Sequence, residues 1–167
     1  MKKIFLLLIL TAFLFSCNYN PVEENYYATV KTEFYTLLPG KWMAVQGSSI
    51  QWFQEFRLPT QHFENTDKIG VMVYYLNQFD AWEALPSTRI FWTDKDVVYS
   101  DELWFSHNLE FLYIDYRNTV PGVAAPPIDA MKIKAIFFDE TFFRSGVNKD
   151  IDWNNYKELE DKLNLKD

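Results

Sequence analysis

The chain has 167 residues, of which 49% are hydrophobic and 19% aromatic, and it carries a net charge of −7. That length suits one domain, and the acidic balance argues against nucleic acid and against a polybasic membrane-surface patch as partners. Five glycines and one cysteine leave little material for phosphate-cradling loops and none for an intramolecular disulfide.

The first element is an address. Lys2 and Lys3 precede an apolar run over residues 4–15 that only Thr11 interrupts. As a helix rising ~1.5 Å per residue the run reaches about 18 Å, well short of a ~30 Å hydrocarbon core, so it reads as the apolar region of a secretory signal and not as a span. Leu14-Phe15-Ser16-Cys17 then resembles the bacterial lipobox, with Leu three places before the cysteine and a small residue just before it; Phe15 stands where the pattern has a smaller side chain. The resemblance implies cleavage after residue 16, lipidation of Cys17 with palmitate-type chains, and a place in the bacterial cell envelope, the outer membrane foremost. Each buried methylene contributes about 0.8 kcal/mol, so two or three acyl chains anchor stably where one binds only marginally. Loss of residues 1–16 leaves 151, and the charge moves from −7 to −9 as Lys2 and Lys3 depart. Residues 17–27 form the lipidated cysteine and a tether rich in Asn and Glu; residues 28–167 form the domain.

Strand patterning follows in order. Residues 29–38 predict a first strand, closed by the turn signal Pro39-Gly40; residues 41–46 predict a second, followed by a Gly47-Ser48-Ser49 turn. Ile50, Trp52, Phe56 and Leu58 share one face of a third, with Gln51, Glu55 and Arg57 on the other. Residues 60–68 predict a loop. Residues 69–76 are apolar on both faces and predict a strand that is central or covered twice. Residues 77–86, which include Trp82, predict a connection ending in a turn. Strands are predicted over 88–92, 97–105 and 109–116, with polar turns at 93–96 and 106–108. Residues 117–129 hold three prolines and a glycine and predict a long loop. In residues 131–138, Met131, Ile133, Ala135 and Phe137 are expected inward, Lys132 and Lys134 outward. The period then changes. Asp152 is a candidate N-cap, Trp153, Tyr156, Leu159 and Leu163 recur at helical spacing, and Glu158 and Lys162 stand four apart in the favourable order, so a helix is expected over 152–165.

About eight short strands without intervening helices predict an all-β fold, an antiparallel β-sandwich of jelly-roll or immunoglobulin-like kind with one short C-terminal helix. A closed barrel is the alternative. The segments VMVYYL (71–76), WEALPST (82–88), LEFLYIDY (109–116), MKIKAIFF (131–138) and IDWNNYKELEDKLNL (151–165) together resemble a group of Bacteroidetes lipoproteins. In these a lipidated cysteine, often followed by collagen-like repeats, carries a small β domain of unassigned function. This chain has no such repeat after Cys17, and the resemblance supplies no active-site residue.

No catalytic site is expected. GxSxG, HExxH, GxGxxG and the Walker-type loop are missing. His62 and His107 are the only histidines. A site built from Asp101, Glu102 and His107 is conceivable, but a solvated strand face and a turn histidine explain these residues better, so neither metal nor cofactor is expected. The aromatics are the remaining feature. Trp82 beside Asp80 and Glu83, and Trp92 and Tyr99 flanking the turn at 93–96, are candidates for stacking on a sugar; core packing is the competing reading, favoured for Trp82 by Leu85-Pro86 behind it. The expected partners are a membrane through the lipid, and an envelope protein or a glycan through a non-catalytic domain.

Overall fold

The computed structural model describes residues 29–92, 98–120, 124–144 and 147–165. Cys17, the apolar run and the tether lie outside the described residues. Among the described residues nine antiparallel strands form two sheets: β1 (Val30–Leu37), β9 (Met131–Phe138), β4 (Gly70–Leu76) and β5 (Trp82–Ala84), in that order, make one; β2 (Met43–Ala44), β3 (Gln51–Arg57), β8 (Phe111–Asn118), β7 (Val98–His107) and β6 (Ser87–Trp92) make the other. Two helices follow β9, α1 (Glu140–Arg144) and α2 (Tyr156–Leu163). The fold is therefore the all-β sandwich with a short C-terminal helix that the strand pattern implies. The additional strand is β5. Three residues are too few to show a period of two, so residues 82–84 read as a connection until Leu76 and Trp82 are seen to pair.

Parity along each strand builds the core. Leu37, Val71, Val73, Ile133, Ala135 and Phe137 of the first sheet face Leu103, Leu112, Ile114 and Tyr116 of the second, all buried. Each large apolar side chain so removed from water contributes roughly 1.5–3 kcal/mol. One polar residue shares this layer. Gln54 lies on the Trp52–Phe56 face of β3, where its amide donates to the Leu38 carbonyl at 2.8 Å and accepts from the Leu38 N–H. Both polar ends are satisfied, so its burial clamps the end of β1 to the opposite sheet.

The outer face of the first sheet carries a second core. Met72, Tyr74, Ile136 and Phe138 point away from the other sheet and pack under Phe142, Ile151, Trp153, Tyr156 and Leu159. Covering on both sides explains why β4 is apolar throughout. It also corrects the expectation for Lys134. Its side chain does leave the inter-sheet core, but it is fully buried beneath α2 and not solvated. Its ammonium donates to the Tyr156 hydroxyl at 2.6 Å and lies 4.0 Å from the Tyr156 ring, 4.5 Å from that of Trp82 and 4.9 Å from that of Phe34. Lys132, one strand period earlier, is exposed as expected.

The helix also starts later than its apolar stripe suggests. The Asp152 side chain accepts from Asn154 N–H, and its carbonyl from Asn155 N–H, so it closes a turn. Asn155 is the N-cap, accepting from Glu158 N–H, and Asn164 ends the helix in the left-handed region at φ 49°. The stripe itself packs as predicted, with Tyr156 and Leu159 buried, and Lys162 pairs with Glu158 at 2.7 Å.

Candidate functional site

At one end of the sandwich the inward positions turn from apolar to polar. Beyond Leu103 and Ile114 come Asp101 on β7 and Asn118 on β8, joined by Arg89 on β6 and Tyr75 on β4. Between them and the 125–129 segment opens a cleft of about 400 Å³. Arg89 faces Asp101 across the ladder and grips it with two bonds, Nε to Oδ1 at 2.8 Å and Nη2 to Oδ2 at 2.5 Å. Tyr75 donates its hydroxyl to Glu83 of β5, which also accepts from the Asn77 amide at 2.6 Å. The Ser87 hydroxyl reaches Tyr75 at 3.3 Å, and Asn118 donates to the Tyr116 hydroxyl at 3.0 Å.

These contacts set the proton chemistry. Burial, reinforced by the bond to Glu83, pushes the Tyr75 phenol above its ordinary range, and burial does the same to Tyr116. The bonds from Tyr75 and Asn77 hold the Glu83 carboxyl below its ordinary range. The bond to Asp101 raises Arg89 further. Every shift moves its group away from neutrality, whereas a general acid or base works best with a pKa near the operating pH. The cleft is a set of fixed, mutually paired dipoles and charges, suited to holding its own strands or a polar ligand.

A second concavity of about 610 Å³ lies on the outer face of the first sheet, past α2. Thr36, Leu76 and Lys132 contribute to it, with Phe34, Trp82 and Asp80. The Phe34 and Trp82 ring centroids are 6.2 Å apart at 59°.

The residues singled out in the sequence are not brought together. Trp82 is half-buried, its ring 6.1 Å from that of Tyr156, so it serves packing while also lining the outer groove. Tyr99 is on the other sheet, stacked on its cross-strand partner Phe91 at 5.0 Å and 13°. Trp92 ends β6; its side chain lies outside the described residues. Asp101 turns inward to Arg89, Glu102 turns outward to pair with Arg117, and His107 is six residues further along β7, about 20 Å at strand spacing. His62 is exposed in a turn. Among the described residues no three His, Cys, Asp or Glu side chains are grouped to hold a metal, and no described helix is long and apolar enough to cross a membrane.

Sequence reading passed over Arg89 and Phe34, and Glu83 entered it only as a neighbour of Trp82. Phe34 alone left a trace, as an aromatic between Thr32 and Thr36 on the polar face of β1. No protein-family model, curated protein or solved structure matches the chain. Fold and site together define a two-sheet β-sandwich, roofed on one side by a helix, with an internally paired polar cleft at one end.

Proposed function

We propose that this chain is a bacterial envelope lipoprotein, anchored through Cys17 in the outer membrane, whose β-sandwich acts by binding and not by catalysis. The internal pairing in the cleft supports the non-catalytic part: Arg89 is engaged by Asp101 and Tyr75 by Glu83, and the Tyr75, Glu83 and Arg89 side chains are shifted away from the range useful for proton transfer. The Cys17 motif and the resemblance to Bacteroidetes lipoproteins support the address. A structural or protein-binding role at the envelope fits a domain held to a membrane by a short tether.

The test is fractionation. Wild-type protein is expected to stay with outer-membrane vesicles after a carbonate wash and to incorporate labelled palmitate. The Cys17→Ser variant is expected to do neither while keeping a β-type circular dichroism spectrum. Retention of the Cys17→Ser protein in washed membranes overturns the assignment.

A further inference from the structure

The helix covers the outer face of the first sheet unevenly. Phe34, Lys134 and Tyr74 lie side by side in register, and the Tyr156 ring sits over Lys134 and 5.2 Å from that of Tyr74. One step further along the strands, Thr36 pairs with Lys132 and Leu76 with Trp82, and these four positions share the open groove.

We propose that this groove is a binding site for a neutral saccharide, with Phe34 and Trp82 holding the C–H face of a sugar ring and Asp80, Lys132 and Thr36 taking its hydroxyls. The proposal rests on the reading of the domain as a binding module and names the ligand class of one surface. Its volume of about 610 Å³ falls within the ~300–1,000 Å³ usual for small-ligand clefts. Phe34 is 52% exposed at its rim, so an aromatic surface is available to a ligand there.

Charge selects among ligands. The Lys134 ammonium already engages both rings, at 4.9 and 4.5 Å, and Lys132 lines the same groove. A cationic ligand would therefore meet two like charges and rings whose electron density is already drawn inward. A fully anionic ligand is attracted by Lys132 but meets the like charge of Asp80 in the same groove. A purely apolar one would strip water from Asp80, Lys132 and Thr36 without replacing its hydrogen bonds. A polyol with one apolar face satisfies all of these groups.

Asp80 is also held in place. It stands at φ 56°, a left-handed position that glycine takes without cost. Asn77 builds the turn that imposes it: Asn77 Oδ1 accepts from the Phe79 and Ala81 N–H groups at 2.8 and 3.0 Å, and Asn77 N–H donates to the Ala81 carbonyl. The turn fixes the Asp80 backbone at the mouth of the groove, which brings its carboxylate within reach of a ligand's hydroxyl groups.

The full-length protein, purified in detergent, is titrated calorimetrically with maltotriose, cellotriose and triacetylchitotriose; trigalacturonate and choline serve as charged controls. At least one neutral trisaccharide is expected to bind, and Phe34→Ala and Asp80→Ala are each expected to weaken it about tenfold or more. Tyr99→Ala, on the opposite sheet, is expected to bind as wild type, and all three variants to keep the wild-type circular dichroism spectrum. No binding of any neutral trisaccharide at about 10 mM overturns the proposal. So does binding confined to a charged control, or binding insensitive to both groove substitutions. None of these outcomes touches the Cys17→Ser fractionation, so the groove and the lipoprotein reading fail separately.

Discussion

Lys134 shows how much one side chain can organise. It is fully buried, yet its charge is met by the Tyr156 hydroxyl and three aromatic rings. Lys134→Ala removes a long stem from a packed layer and the charge from its cage, and is expected to cost about 2–4 kcal/mol in urea unfolding. Lys134→Met restores most of the volume and is expected to recover part of that loss. Gly70 offers a second test at this scale. A Cβ there would lie 2.1 Å from the buried Phe138 ring, whereas one at Gly40 meets nothing within 4 Å. Gly70→Ala is expected to destabilise by about 1–3 kcal/mol, and Gly40→Ala to stay within about 0.5 kcal/mol of wild type.

Tyr74 links a residue to pH. Burial, aided by the Asp152 charge, pushes its phenol up to about 12, and its hydroxyl donates to the Trp153 carbonyl at 2.7 Å. An unfolded tyrosine ionises near pH 10. Below that both states are protonated and the stabilisation is complete; between pH 10 and about 12 the unfolded chain alone sheds the proton, so stability falls as pH rises. Tyr74→Phe removes that ionisation and is expected to lessen the alkaline decline measured by urea midpoints at pH 9, 10 and 11. Tyr35, which burial also pushes up to about 12, contributes to the same decline, so the slope is expected to shrink without vanishing; an unchanged slope would remove Tyr74 as a contributor.

Among the elements, α2 depends most on its surroundings. Eight residues form a marginal helix in isolation, so its stability comes from its cap and from the Tyr156–Leu159 face on the sheet. Asn155→Ala removes the side chain that accepts from Glu158 N–H and is expected to cost about 1 kcal/mol. Asp152→Ala is expected to cost less, because it serves only the preceding turn; thermal melts of the two variants rank them. β5 is the opposite case, a strand whose intrinsic signal is negligible and whose three residues are fixed by pairing with β4 and by Glu83 reaching Tyr75.

For the whole molecule, stability rests on two apolar layers. Ile114→Ala in the inter-sheet core and Leu159→Ala under the helix are each expected to lose about 2–5 kcal/mol. With Cys17 the only cysteine, the melting temperature of the monomeric protein is expected to be the same with and without dithiothreitol. A shift of several degrees would require an intermolecular bond.

Alternation along 131–138, the doubly apolar 69–76 and the 3.6-residue stripe at 153–163 were legible because a period survives in one dimension. Those local patterns determined the positions of every strand but β5, the sandwich class and the presence of the closing helix, just as Cys17 and its flank determined the expected address. The strands that neighbour each other, the burial of Lys134 and the sites could not be read that way. Arg89 and Asp101 are twelve residues apart in sequence, Phe34 and Lys134 one hundred apart, and each pair exists only once the register is set. Outward was read as wet for Lys134, because a period of two tells which side of a strand a residue takes and not whether a helix from the far end of the chain will cover that side. Which part of the sheet the helix covers is likewise a tertiary outcome: Tyr156 packs over Lys134 and near Trp82, while Thr36, Lys132 and Leu76 line the open groove beside Phe34.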